Sequence, residues 1–258
     1  MVLFLKKFLP EIEGKYIEPF VGGGAMYLHL QPEAALLADL NQELVDLYRG
    51  VRSYPHKIWK IFSSFPSGKR AYYKIRNTRA KSRPIYFRAA RTLYLNRTCF
   101  KGMWRHNLQG DFNVGYGGED RRWAITYENI IALSKVLKGA NIDKMDFEQT
   151  LHLSQDGDFI FLDPPYKPGE REMAQAHYIN GYFSFEEQAR LANNLKKLSK
   201  DSKVKWLMTN SSHPDIVGLY KDFYVKKVPK GTGNRPGIFL KNPGEVLIAN
   251  YKFYEKIS

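Results

Sequence analysis

The most constraining stretch is Asp158-Phe-Ile-Phe-Leu-Asp-Pro-Pro-Tyr166. Its apolar run, Phe159 to Leu162, is too short for a helix and rich in strand-forming residues, so it predicts a buried strand. Pro164 and Pro165 end that strand because neither has an N–H to give a ladder. Asp163 is thereby placed at the carboxyl edge of a sheet, where open α/β sheets hold their ligands. A rigid turn then offers a carboxylate, main-chain carbonyls and the Tyr166 ring, the parts needed to grip a planar base bearing an amino group.

A second stretch predicts the same kind of sheet. Lys15 to Phe20 reads as a strand, Val21-Gly-Gly-Gly-Ala25 as a tight turn, and Met26 to Leu30 as the start of a helix. Strand, glycine turn and helix form the opening unit of a doubly wound fold. A dinucleotide fingerprint wants another glycine near position 27, but Tyr27 stands there, which argues against a pyrophosphate on the helix N-terminus. S-adenosylmethionine carries no phosphate; it needs a close backbone approach and a carboxylate for its ribose hydroxyls. Asp39, at the end of the strand Ala35 to Asp39 and seventeen residues beyond Gly22, supplies that carboxylate; the helix predicted over Asn41 to Val51 is capped by Asp39 or Asn41, and Asp39 can do both jobs.

The net charge of +14 is concentrated rather than spread. Leu47 through Gly110 contains no Asp or Glu but sixteen Lys and Arg, leaving about −2 for the remainder. Such a segment is how a polyanion-binding face looks in sequence. Its interleaved aromatics predict a local core, and the clearest helix runs from Ile85 to Arg97. Between Thr98 and Gly118, Gln109-Gly110 predicts a hairpin turn shortly after Trp104 and Arg105. A β-ribbon fits the major groove, where Arg can take guanine O6 and N7 together. The domain expectation is 1–50 and 123–258 for a catalytic sheet, with 51–122 as an inserted recognition domain.

Other elements are expected as helices over Phe4 to Ile12, Ile130 to Leu137 and Phe185 to Leu198, and as strands over Ala140 to Phe147, Lys203 to Thr209, Phe223 to Val228 and Val246 to Tyr251. The polar stretch Lys167 to Gly181 and the Gly/Pro loop carrying Lys230, Arg235 and Lys241 are read as loops. One cysteine, Cys99, excludes an internal disulfide, and the apolar start is far shorter than a membrane span; both lead to the expectation of a soluble cytoplasmic protein. The six histidines show no ligand spacing, so no metal is expected.

The combination of Glu18-Pro-Phe-Val-Gly-Gly-Gly24, Leu37-Ala-Asp39-Leu-Asn41, Leu95-Asn-Arg-Thr-Cys-Phe-Lys-Gly102, Arg105-His-Asn, Gly110-Asp-Phe-Asn113 and Asp163-Pro-Pro-Tyr166 resembles the Dam family of DNA adenine-N6 methyltransferases, from about Leu5 to Tyr251. The order specifies more than the tetrapeptide, which RNA guanine methyltransferases share. The resemblance implies a Rossmann-like S-adenosylmethionine-dependent methyltransferase sheet with an inserted, mostly helical DNA-recognition domain and a β-hairpin. It implies that Phe20, Gly22 and Gly24 line the cofactor, Asp39 binds its ribose and Asp146-Phe147 flanks its adenine. It further implies that Asp163 lies beside the methionine end and the target amine, with Pro164, Pro165 and Tyr166 completing the catalytic tetrapeptide. Arg105 matches the arginine that reads guanine; Phe100, Lys101 and Met103 match positions at the base stack and target edge, and Arg97 and Asn113 complete the DNA-binding set.

The implied partner is double-stranded DNA, met by a monomer that flips its target base. A restriction endonuclease of the same system is a candidate second partner, and the family's common G-A-T-C is one candidate site. The sequence departs from the family pattern in beginning after the usual Trp-x-Gly-Gly-Lys-like stretch, in Lys101 where many relatives have Asn, and in Gly115 where many have Pro. The alternatives are an RNA or cytosine-amine methyltransferase and a cofactor-deficient DNA-binding relic.

Overall fold

A computed structural model describes residues 1–107, 109–165, 183–229 and 244–253. The strands are β1 (Tyr16–Glu18), β2 (Ala35–Asp39), β3 (Ala140–Lys144), β4 (Phe159–Leu162), β5 (Lys205–Ser211), β6 (Tyr224–Lys227) and β7 (Glu245–Ala249). They form a seven-stranded sheet in the order β3-β2-β1-β4-β5-β7-β6. β1 pairs in parallel with β2 and β4, and β4 with β5, whereas β7 runs antiparallel to both β5 and β6. The chain reverses its direction of travel across the sheet between β1 and β4, so the carboxyl ends of those two neighbours frame the switch point where doubly wound sheets bind ligands.

Inside the edge strands β3 and β6, the strands are largely buried on both faces, as a covered sheet requires. Ile17, Ile160, Leu162, Trp206, Met208 and Ile248 share a core with Leu151 of α8 (Phe147–His152), Leu191 and Leu195 of α9 (Phe185–Asp201), and Ile216 of α10 (Pro214–Leu219). On the other side, Phe159 meets Tyr16, and Tyr16 meets Tyr27 of α2 (Ala25–Leu30). Asp158 fixes the entry to β4, because its carboxylate accepts the Lys15 N–H at 2.7 Å and the Gln155 N–H at 3.0 Å.

Two compact units emerge, one built from Met1–Leu40 and the described residues from Met145 onward, the other from Asn41–Lys144. The second is mostly helical: α3 (Gln42–Ser53), α4 (Pro55–Ser64), α5 (Lys69–Arg76), α6 (Ile85–Thr98) and α7 (Tyr127–Val136). At Gly50 an added Cβ would lie 2.8 Å from the Ala89 Cβ, so glycine is what lets α3 and α6 approach this closely. Arg91, 5% exposed, donates to the Ile75 and Arg76 carbonyls and to Glu43, while Arg88 forks onto Asp46. Part of the basic segment therefore holds its own unit together, and only the remainder is offered outward.

Three elements differ from expectation. The first helix, α1, is only Val2–Leu5, continued by a 3₁₀ turn over Lys6–Phe8; Pro10 then prevents extension to Ile12. β3 stops at Lys144, because Asp146 caps α8 reciprocally with Gln149 rather than ending a strand. The hairpin near Arg105 is pinned by isolated bridges, Cys99 to Tyr116 and His106 to Phe112, in place of a continuous ribbon among the described residues. No helix among the described residues is long and apolar enough to cross a membrane.

Candidate active site

The glycine turn leaves the end of β1 and returns into α2. Gly22 and Gly24 have φ of 44° and 61°, the left-handed region that glycine enters without a Cβ clash. A Cβ added at Gly23 would meet nothing within 4 Å, so open space borders the turn. Asp39, ending the adjacent β2, accepts the Gly22 N–H at 3.0 Å, while Asn41 caps α3 by accepting the Glu43 N–H at 2.9 Å. Of the two roles expected of Asp39, the helix cap falls to Asn41, and Asp39 is tied to the glycine turn.

Beside the turn, Phe20 and Phe147 lie 5.6 Å apart between ring centroids, and Phe183 closes the trio at 5.5 Å and 5.8 Å. Phe147 is buried, whereas Phe20 and Phe183 are half-buried. Arg190 of α9 lies over the Phe147 ring at 4.0 Å and grips both oxygens of Asp146 at 2.9 Å. That guanidinium holds the Asp146 carboxyl below the usual carboxylate range, with the Glu148 N–H assisting.

At the end of β4, Asp163 is exposed, Pro164 buried and Pro165 exposed. Thr209 of β5 donates to Asp163 Oδ1 at 2.6 Å. Gln188 of α9 donates to the Pro165 carbonyl at 2.9 Å and accepts from Asn210 at 3.0 Å. Glu18, the last residue of β1, is 2% exposed and accepts the Tyr16 hydroxyl at 2.9 Å. Burial pushes its carboxyl up to about 8, with the charge of Asp163 adding to the rise and the hydrogen bonds from Tyr16 and the Tyr27 backbone opposing it.

The sheet unit thus brings together Phe20, Gly22, Gly24, Asp39, Asp146, Phe147, Asp163, Pro164 and Pro165. Tyr166, Lys230, Arg235, Lys241 and the stretch Lys167 to Gly181 lie outside the described residues. Reasoning from sequence passes over Glu18, Phe183, Gln188, Arg190, Thr209 and Asn210. Glu18 has one legible signal, an acid between apolar neighbours at a strand end, and Asp146-Phe-Glu-Gln149 is a legible capping-box pattern.

Within the helical unit, Arg97 occupies the last turn of α6, and its Nε meets no partner among the described residues. Phe100 and Met103 are exposed at 47% and 41% respectively. Between them Lys101 adopts φ 53° and lays its amine 5.3 Å from the Phe100 ring centroid. Arg105 donates through Nε to Asn113 Oδ1 at 2.9 Å.

A parallel sheet ending in an antiparallel β7 wedged between β5 and β6, with a glycine turn and an acidic Pro-Pro segment at the switch point, is consistent with an S-adenosylmethionine-dependent methyltransferase fold. The family model described as D12 class N6 adenine-specific DNA methyltransferase matches residues 1–232, and the chain belongs to that family. It is 34% identical over 259 aligned residues to Type II methyltransferase M1.LlaDCHI of Lactococcus lactis subsp. cremoris, covering 96% of this chain and 90% of that protein. It is 33% identical to Type II methyltransferase M.MjaIII of Methanocaldococcus jannaschii (92% and 88% covered) and 29% identical to a DNA adenine methylase of Vibrio cholerae (84% and 79% covered). The enzyme is accordingly a site-specific, adenine-directed DNA methyltransferase, which excludes the RNA and cytosine-amine alternatives.

Proposed function

We propose that the protein transfers a methyl group from S-adenosylmethionine to the exocyclic amine of an adenine flipped out of duplex DNA, at a short specific site for which G-A-T-C is a candidate. The observation that carries this reading is the adjacency of β1 and β4, which puts the Gly22–Gly24 turn and Asp163 at neighbouring strand ends. The residues suit the cofactor: open space lies against Gly23, and an acid fit for a ribose diol ends β2. Phe20 and Phe147, with Asp146 beside them, are assigned to its adenine. When bound, the cofactor supplies an electrophilic methyl group on a sulfonium.

The adenine amine is a weak nucleophile because its lone pair is delocalised into the ring. Asp163 and the Pro164 carbonyl are assigned to accept its hydrogens, which favours the pyramidal nitrogen of the transition state; positioning and charge stabilisation supply most of the acceleration. Flipping costs a few kcal/mol, and stacking on Tyr166 offsets roughly 1–3 kcal/mol of it. Arg105 is assigned to guanine readout, with Arg97, Phe100, Lys101, Met103 and Asn113 at the strand and base stack. A monomer suffices for this chemistry. The Type II names of two relatives support a restriction endonuclease as companion in the same system.

The test is incubation with S-adenosylmethionine carrying a labelled methyl group and unmethylated duplex DNA, followed by nucleoside analysis and sequencing of modified bases. N6-methyladenine at one recurrent short motif is expected. Calorimetry with the cofactor alone separates this from the relic reading, which expects no heat.

A further inference from the structure

β5 runs parallel to β4 with Met208 opposite Leu162, so Thr209 and Asn210 emerge level with Asp163 and the prolines. Thr209 is 3% exposed, and its hydroxyl reaches Asp163 Oδ1 at 2.6 Å but the Leu162 carbonyl only at 3.4 Å. A hydroxyl has one hydrogen, and the short contact to a carboxylate takes it. The Asp163 side chain is thereby braced from the core side of the sheet edge.

A second brace reaches the same tripeptide from another element. Gln188 and Asn210 are each 0% exposed. Asn210 Nδ2 donates to Gln188 Oε1, Gln188 Nε2 donates to the Pro165 carbonyl, and Asn210 Oδ1 accepts the Ser211 N–H at 2.8 Å. These partners fix the orientation of both amides, since turning Gln188 over would set oxygen against the Pro165 oxygen. Buried amides are costly wherever an apolar side chain would pack as well. Ser184 caps α9, so Gln188 is not needed to start that helix.

We propose that Thr209, together with the Asn210–Gln188 pair, is a positioning relay that locks the Asp163 carboxylate and the Pro165 carbonyl into one arrangement, so that Asp-Pro-Pro receives the target amine without rearranging. The inference rests on the assignment of Asp163 as an acceptor of that amine. None of the three relay residues is required to touch substrate; they act through Asp163 and the proline turn.

The experiment is initial-rate methylation of unmethylated plasmid DNA by the full chain and its variants, read as kcat and KM, with thermal melting alongside. Losing a hydrogen bond to a charged group at a reacting centre lowers kcat by roughly 10-fold or more for Thr209→Val, with both KM values within about 2-fold of wild type. Thr209→Ser, which keeps the hydroxyl, returns kcat to within about 3-fold of wild type. Gln188→Met keeps volume but cannot donate to Pro165, and it lowers kcat in the same pattern; it decides the matter if Thr209→Val does not fold. Wild-type kcat in these variants, or a rate loss that follows KM or melting temperature with no rescue by serine, overturns the relay. Asp163→Asn is run beside them: a fully active Asp163→Asn overturns the assignment of Asp163 itself, whereas an inactive one beside a fully active Thr209→Val overturns the relay alone.

Discussion

Asn113 holds Arg105 by its Nε–H at 2.9 Å, and the Asn113 N–H returns to the Arg105 carbonyl at 3.1 Å. Gripping a guanidinium through Nε leaves its two Nη groups as the fork that fits guanine O6 and N7, and neither meets a partner among the described residues. Arg105→Ala is expected to relax discrimination at one base pair by about 1–3 kcal/mol. Asn113→Ala should give a smaller loss, about 1 kcal/mol, at that same pair. Competition between duplexes differing at single positions checks this. A uniform loss across all duplexes would assign Asn113 to backbone contact instead.

Glu18 makes stability depend on pH. Its carboxyl is raised from 4.5 to about 8 in the fold, so the folded chain binds this proton more tightly than the unfolded one. The sign follows: its contribution is fully present below about 4.5 and is lost as pH rises to about 8. Glu18→Gln keeps the volume and removes the titration. Urea denaturation between these limits should show wild type losing on the order of a few kcal/mol relative to Glu18→Gln. Parallel pH profiles for the two proteins would show that Glu18 is ionised in the fold.

Lys101 sits at φ 53°, where a side chain other than Asn or Gly is strained. Lys101→Asn is expected to raise stability by about 0.5–1 kcal/mol, read as an increase in melting temperature. An unchanged or lower melting temperature would mean that the amine over the Phe100 ring offsets the strain.

Asp39 is tied to the glycine turn, so its loss should act on cofactor binding before chemistry. Asp39→Ala is expected to weaken S-adenosylmethionine binding by about 10-fold or more in calorimetry, as a half-buried N–H and a diol both lose their acceptor. Undiminished affinity would remove Asp39 from the pocket.

The sheet edge is legible in the sequence because each signal is local: a run of strand formers stopped by Pro164-Pro165, and glycines in a turn between a strand and a helix. What stays hidden depends on distant pairing. Thr209 lies 46 residues from Asp163, and Gln188 lies 23 from Pro165, on a helix whose other polar residues look equivalent in sequence. Pattern alone puts Asp146 at a strand end because an acid after apolar residues serves a strand terminus and a helix cap alike; Gln149 decides for the cap. Charge counting overstates the outward basic face, since buried carbonyls and Glu43 claim Arg91, and Asp46 claims Arg88.

Methyl donor and target amine are expected to meet where β1 and β4 end side by side. Asp163→Ala, assayed for labelled methyl transfer to duplex DNA and for cofactor affinity by calorimetry on the same preparation, tests it most directly. Retained cofactor binding and melting temperature with transfer reduced by about 1000-fold or more is the expected result. Transfer at the wild-type rate would contradict it.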